Sequence, residues 1–165
     1  MSSISVTINR SVFNDAYYPL LYDKARYIVL YGGAGSGKSV FAAQRYIVKL
    51  LESEKCNLLA VRKVSNTLRD SVFAELRKII RKWKLDKLFD VKESDMRIRC
   101  ANGNEVLFRG LDDVEKLKSV TFVNGELTDI WIEEASEIEE DDFNQLDIRL
   151  RGYRISESSL PKPAL

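Results

Sequence analysis

The sequence predicts an α/β fold in which a parallel sheet is flanked by helices on both faces. Three observations support this prediction. Short apolar runs alternate along the chain with stretches whose apolar residues recur at helical spacing. The first apolar run ends in a cluster of glycines that leads straight into a helical stretch, and the last ends in two adjacent glutamates. Strands that alternate with helices are typical of parallel sheets, because parallel neighbours need long crossover connections.

Three apolar runs are predicted to be buried strands, namely residues 27–31, 57–61 and 127–132. Three amphipathic stretches are predicted to be helices. The first has Val40, Ala43, Ile47 and Leu50 on one stripe, the second covers residues 66–83, and the third covers residues 139–150 with Phe143, Leu146 and Leu150 facing inward. Residues 96–109 alternate between apolar and polar on either side of Asn102-Gly103, which predicts a β-hairpin inserted into the sheet.

The composition is that of one globular domain, with 165 residues of which 45% are hydrophobic and 31% charged. No apolar run reaches the roughly 20 residues of a membrane span. The chain has no histidine and two distant cysteines, which excludes histidine-based catalysis and a zinc site of the usual kind and predicts two buried thiols. The net charge of +1 combines a basic first half with an acidic second half. That division fits either a surface for nucleic acid or a chance clustering of charges on solvated helices.

The glycine cluster, residues 32–39, matches the phosphate-binding pattern G-x-x-x-x-G-K-[ST] and lies between a predicted strand and a predicted helix. Glycines let the backbone curl so that its N–H groups meet phosphate oxygens, and the following helix presents its positive end to the same anion. We expect Lys38 to reach the β- and γ-phosphates of ATP and the Ser39 hydroxyl to coordinate Mg²⁺. The predicted nucleotide-binding residues are Gly32, Gly33, Gly35, Ser36, Gly37, Lys38, Ser39 and Val40.

Such a loop needs an acidic partner, and the strand that ends in Glu133 and Glu134 is the best candidate. Because strand residues alternate sides, adjacent acids at a strand's end can divide two tasks. We expect Glu133 to hold the metal through water and Glu134 to polarise the attacking water as a general base. The predicted catalytic residues are therefore Glu134 and Lys38, the latter through its contact with the phosphates. The alternative is an acid cluster at a helix N-terminus, since five further acidic residues follow between positions 137 and 142.

Phosphoryl transfer also needs a cation at the γ-phosphate, often an arginine supplied by a neighbouring subunit. The candidates for this arginine finger are Arg62, Arg69, Arg149 and Arg151. The second predicted helix carries a basic face made of Arg69, Arg77, Lys78, Arg81 and Lys82. This face is interpreted as an ordinary solvated surface, and contact with DNA phosphates is the alternative.

Several strings beyond the glycine loop resemble the large subunit of tailed-phage terminases, most closely the PBSX type found in defective Bacillus prophages. The strings that carry the resemblance are Val61-Arg62-Lys63, residues 67–72, residues 108–113, residues 115–119, Trp131-Ile132-Glu133-Glu134-Ala135, Gln145-Leu146 and Arg149-Leu150-Arg151. Their order and spacing cover roughly residues 10–152 and correspond to the N-terminal ATPase region of that family.

The resemblance implies a P-loop ATPase motor that drives double-stranded DNA into a procapsid. Its implied partners are the terminase small subunit, the portal protein and further copies of itself in a homo-oligomeric ring, in the host cytoplasm and outside any membrane. It also implies that the aromatic segment from Phe13 to Tyr22 lies near the adenine, where Tyr17, Tyr18 and Tyr22 stack on the base or belong to the core.

By comparison with that family, residues 1–155 form an ATPase domain that stops before the strand following the acidic one, which would leave the sheet incomplete. Residues 156–165 are expected to be a disordered or appended tail, and the resemblance leads us to expect that the family's nuclease domain is absent. We therefore expect nucleotide binding with weak or no turnover. Two alternatives remain, namely another P-loop enzyme such as a helicase-like ATPase or a nucleotide kinase, and a non-catalytic nucleotide-binding module.

Overall fold

The computed structural model describes residues 5–112, 117 and 120–150, and its centre is a five-stranded sheet of order β2-β3-β4-β1-β5. The strands are β1 Asn57–Arg62, β2 Phe89–Lys92, β3 Arg97–Cys100, β4 Glu105–Gly110 and β5 Asp129–Ile132. Strand β1 runs parallel to both of its neighbours, β4 and β5, whereas β2, β3 and β4 are antiparallel to one another in turn. The predicted α/β architecture is confirmed.

The sheet is covered by the helices α1 Lys38–Glu52, α2 Ala74–Lys82 and α3 Glu140–Leu150. Leu58 and Ala60 of β1 belong to the core cluster that contains the inner faces of α1 and α2. Their neighbours Leu59 and Val61 belong to the cluster on the opposite face, which includes Leu146 of α3. Strand β1 is therefore buried on both faces, as expected for the parallel part of an α/β sheet.

The hairpin forms as predicted, and it is built into the sheet because its second strand, β4, pairs with β1 along six residues. Its tight turn places Gly103 at φ +96°, a backbone conformation that glycine adopts without strain. The side chain of Asn104 is buried and donates to the carbonyls of Leu50 and Ser53, and it accepts from the N–H of Cys56. The hairpin turn thus satisfies backbone groups where α1 ends and β1 begins.

The strand predicted at residues 27–31 is wrong. In the part of the chain that the structure describes, this segment pairs with no strand, and Val29 and Tyr31 are 78% and 89% exposed. A strand needs a neighbour for its backbone N–H and C=O groups, and the sheet ends at β5 without one for this segment. An apolar run alone indicates burial but does not supply the partner.

Smaller differences concern the helices and one strand. Val40 and Phe143, predicted to face inward, are 37% and 38% exposed. The helix predicted over residues 66–83 is a 3₁₀ turn at Ser65–Thr67, a π-helical turn at Arg69–Phe73 and then α2. Strand β2 was not predicted, because its four residues are too few to show a period.

The two cysteines are buried and free, which confirms the prediction made for them. None of the helices in the described ranges is both long enough and apolar enough to cross a bilayer. The predicted tail, residues 156–165, and the candidate Arg151 lie outside the described residues.

Candidate nucleotide-binding site

The glycine loop has the curled backbone that its sequence pattern predicts. Gly35 and Gly37 have φ of +76° and +84°, and Gly37 is the N-cap of α1. The first helical hydrogen bond follows at once, from the N–H of Phe41 to the carbonyl of Gly37 at 2.9 Å. The first N–H groups of a helix have no partner within the helix, so those of α1 are donors for an anion in the loop.

The Lys38 side chain bends back over this loop. Its ammonium Nζ donates to the carbonyl oxygens of Gly32 at 2.7 Å and Gly33 at 3.0 Å, and to Ser36 Oγ at 3.2 Å. These contacts hold a positive charge against the loop that is predicted to bind phosphates.

The acidic end of β5 meets the start of α1. Ser39 Oγ donates to Glu133 Oε1 at 2.7 Å, although the two residues are 94 positions apart in the chain. The other carboxylate oxygen of Glu133 accepts from Trp131 Nε1 at 3.0 Å, which fixes its direction. The two sequence motifs therefore lie at one place in the fold.

Glu134 is exposed and has left-handed backbone angles, φ 52° and ψ 56°. That conformation costs a residue with a Cβ on the order of 1 kcal/mol, and such strain is concentrated at functional sites. The backbone turns sharply here, because β5 ends at Ile132 and a 3₁₀ turn follows at Ala135–Glu137. The proposed general base thus lies on a bend beside the Glu133 carboxylate.

Of the four candidate arginines, Arg62 lies beside the acidic pair. The ladder pairs Val61 with Ile132, so Arg62 and Glu133 are the next neighbours across β1 and β5. By strand alternation both side chains lie on the face that carries α1. The Arg62 Nε is buried, has no hydrogen-bond partner among the described residues, and lies 3.5 Å from Glu137 Oε2.

The remaining candidates are placed differently. Arg69 forms an ion pair with Glu93 at 3.5 Å, and so does Arg77 at 2.8 Å. Arg149 is half-buried on α3. Much of the basic helix face is therefore balanced within the chain, because Lys78 also lies 3.8 Å from Glu75.

The aromatic segment ahead of the loop divides between two environments. The ring of Tyr17 stacks on Phe41 of α1, with centroids 5.3 Å apart, and Tyr18 packs against Phe13 at 5.8 Å. Tyr22 is 62% exposed and its hydroxyl donates to Glu52 at 3.3 Å. Tyr17 and Tyr18 therefore pack against the small core between this segment and α1.

One functional candidate was missed by the sequence reasoning. Asp147, buried on α3, accepts from Arg26 at 2.7 Å and from the Tyr27 hydroxyl at 2.6 Å. These bonds join α3 to the segment that leads into the glycine loop. Asp147 is one of several acidic residues in its helix, and no sequence pattern distinguishes it from the others or indicates this contact.

The side chains at the loop are compatible with Mg²⁺. A hydroxyl and a carboxylate, those of Ser39 and Glu133, are oxygen ligands of the type that this ion prefers. Within the described ranges no group of three or more His, Cys, Asp or Glu side chains is placed to hold a metal ion. Mg²⁺ bound with a nucleotide needs no such group, since it takes one or two protein ligands together with phosphates and waters.

Comparison with known proteins gives a family and two curated relatives. The family described as "Phage terminase large subunit" matches residues 24–162. The "PBSX phage terminase large subunit" of Bacillus subtilis (strain 168) is 40% identical over 125 residues, covering 76% of this chain and 28% of the relative. The "Terminase, large subunit" of Bacillus phage SPP1 is 37% identical over 110 residues, covering 66% of this chain and 26% of the relative.

Solved structures show a similar fold. The large terminase from a thermophilic bacteriophage superposes with a TM-score of 0.57 at 17% identity, covering 73% of this chain and 30% of that one. The same protein in complex with ADP gives a TM-score of 0.55 and covers 29% of that chain. The present chain thus spans less than a third of the length of these proteins.

Proposed function

Because the chain belongs to the phage terminase large subunit family, we propose that it is the part of a DNA-packaging motor that binds and hydrolyses Mg-ATP. The observation that carries this proposal is the 2.7 Å contact between Ser39 and Glu133, which joins the glycine loop to the acidic strand end. A glycine-rich turn that binds no ligand would not be expected to contact a carboxylate at this position. The ADP bound by the thermophilic phage terminase supports a nucleotide as the ligand.

In this proposal the loop N–H groups and Lys38 bind the phosphates, and Ser39 with Glu133 would hold Mg²⁺. The ion, when bound, neutralises charge on the β- and γ-phosphates. Binding requires Lys38 to exchange the carbonyls of Gly32 and Gly33 for phosphate oxygens, which is favourable because charge-assisted bonds to an anion are stronger.

Hydrolysis requires a base for the attacking water and a cation for the charge that develops on the γ-phosphate. We assign the base to Glu134, whose exposed carboxylate accepts the proton of that water. Arg62 is the candidate for the cation in cis, because it neighbours Glu133 and its Nε lacks a hydrogen-bond partner among the described residues. Glu137 would hold Arg62 until the nucleotide arrives.

Membership of this family extends the proposal to a substrate, a location and protein partners. The motor acts on double-stranded DNA in the host cytoplasm, with the small subunit and the portal protein as partners and further copies of the chain in a ring. A helicase-like ATPase and a non-catalytic nucleotide-binding module are the competing functions, and turnover distinguishes them.

The first test is a calorimetric titration of the chain with ATP, with and without Mg²⁺. We expect saturable binding that Mg²⁺ strengthens, and loss of binding in Lys38→Ala. The matched control is Lys55→Ala, an exposed lysine beyond the end of α1, which should bind as the parent does. Binding by Lys38→Ala at the parental affinity would contradict the assignment of the loop.

The second test measures phosphate release in a single turnover, with protein in excess and with duplex DNA present. Glu134→Gln should bind ATP normally and lose hydrolysis, and Arg62→Gln should lower the rate while Arg69→Gln does not. Slow phosphate release would agree with the weak turnover expected from the sequence. If the parent binds ATP but releases no phosphate even in a single turnover, the non-catalytic module is the better description. Stimulation by single-stranded but not by duplex DNA would favour the helicase-like alternative.

A further inference from the structure

Three arginines project from the sheet face opposite α1 and α2. Arg97 and Arg99 of β3 alternate with Ile98 and Cys100, which belong to the core under those helices. Arg109 of β4 alternates in the same way with Phe108. The register pairs Arg97 with Leu107 and Arg99 with Glu105, so the three guanidinium groups share one face. We call Arg97, Arg99 and Arg109 the arginine triad.

The triad is not neutralised within the described part of the chain. Its one acidic neighbour is Glu105, fully buried, whose Oε2 lies 3.5 Å from Arg97 and 3.4 Å from Arg99. The other oxygen of Glu105 accepts from the N–H of Val123. Arg109 donates to the carbonyl of Phe108 at 2.7 Å and has no carboxylate partner among the described residues. Among the described residues, the three positive charges of the triad thus have a single negatively charged neighbour.

This arrangement is costly for the protein alone. The Nε atoms of Arg97 and Arg99 are buried and make no hydrogen bond with the described residues, although the Arg97 Nε lies 3.5 Å from Glu105 Oε2 in an ion pair. A buried donor that makes no hydrogen bond is destabilising. Burial and the neighbouring charge of Arg97 lower the pKa of Arg109. An anion bound at the exposed part of these side chains would add negative charge beyond the single carboxylate that the described residues supply.

We propose that the arginine triad binds the phosphodiester backbone of duplex DNA. The inference rests on the proposed motor function and assigns to the DNA a surface that the sequence reasoning did not consider. Guanidinium groups are suited to this ligand because their planar donors match phosphate oxygens in pairs. The side chains of Arg97 and Arg99 are 31% and 36% exposed on one face of the sheet, so that a ligand as large as a duplex can reach them. The basic face predicted over residues 66–83, by contrast, has ion-pair partners for three of its five cations, namely Arg69 of the π-helical turn and Arg77 and Lys78 of α2.

The test is the affinity of the full chain for a random duplex of about 30 base pairs, measured by fluorescence anisotropy over a range of salt concentrations without nucleotide. Arg109→Gln should weaken binding about eightfold at about 0.1 M salt and reduce the slope of log K against log salt by about 0.9, the loss of one phosphate contact. This variant removes no ion pair, so it should fold. Arg99→Gln should behave alike, and Arg99→Lys should retain the slope because it retains the charge.

The control is Arg81→Gln with Lys82→Gln, which removes two exposed charges from α2 and should leave the slope unchanged. Parental affinity and slope in both triad variants would overturn the proposal, as would a reduced slope in the control alone. Parental DNA binding combined with lost binding of polyglutamate would reassign the triad to an acidic protein and also overturn it. ATP titration of the same variants separates this failure from failure of the motor function, since triad variants should bind ATP normally.

Discussion

Replacing Glu134 with glycine is expected to make the chain more stable while it abolishes hydrolysis. Glu134 has φ 52° and ψ 56°, a conformation that costs a residue with a Cβ about 1–2 kcal/mol. Glycine escapes this cost but loses about 0.5–1 kcal/mol through the greater freedom of the unfolded chain. The Glu134 side chain is exposed, so its removal opens no cavity. The net expectation is a gain of about 0.5–1 kcal/mol in the free energy of unfolding.

Urea unfolding followed by circular dichroism measures this gain. With a slope of about 2 kcal/mol per molar urea, the midpoint should rise by about 0.3–0.5 M. Lys84 is the matched control, because it is exposed with φ 57° at the end of α2 and lies outside the site. Lys84→Gly should give the same stability gain and retain single-turnover phosphate release.

Two results would refute the reasoning. A loss of stability in Glu134→Gly, with a gain in Lys84→Gly, would show that the Glu134 side chain stabilises the fold and that its backbone strain is not the dominant effect. Parental phosphate release by Glu134→Gly would show that this carboxylate is not the general base.

The other predictions concern the hairpin, a close contact and alkaline pH. Asn104→Ala should destabilise the chain by about 3 kcal/mol, because it leaves the Cys56 N–H and the Ser53 carbonyl without this partner and removes one of two donors to the Leu50 carbonyl. Asn102→Ala, at an exposed position of the same turn, should cost about 1 kcal/mol or less, and urea midpoints compare the two. Gly110→Ala should cost about 1–3 kcal/mol because its Cβ would overlap the backbone of the segment after β1, whereas Gly33→Ala meets nothing within 4 Å and should leave the melting temperature unchanged. Burial raises the pKa of the Cys56 thiol to about 12 from an ordinary value of 9.0. The free energy of unfolding should therefore be constant below about pH 8. It should fall between about pH 9 and 12, because the thiol ionises in the unfolded chain before it ionises in the folded one. Urea titrations of Cys56→Ala should show a smaller fall.

The sequence predicted those elements whose pattern is local. Four of the five residues in the strand predicted at 57–61 are apolar, and the hairpin at Asn102-Gly103 combines alternation with a turn signal, so both were recognised. Residues 27–31 are equally apolar but pair with no strand among the described residues. Pairing depends on what lies beside a segment, and no property of the segment itself contains that information.

The same distinction applies to the site. The meeting of Ser39 and Glu133 was predictable because each belongs to a motif with its own signature, and the fold brings both to the same edge of the sheet. The contact of Asp147 with Arg26 and Tyr27 was not, because it joins ordinary residues 120 or more positions apart. The arginine triad was not predicted from the sequence either. Its members lie on two strands, and only the register of β3 and β4 brings them together.

Two asparagines of the hairpin turn, Asn102 and Asn104, bind the C-terminal end of α1 to the sheet. The helix has 15 residues and is therefore a rod about 22 Å long. One end holds the glycine loop, and the other is tied by Asn104 to the turn between the strands that carry Arg99 and Arg109. A displacement of the glycine-loop end of α1 would therefore be passed along the helix to the hairpin turn, because the other end of the helix is bonded to that turn.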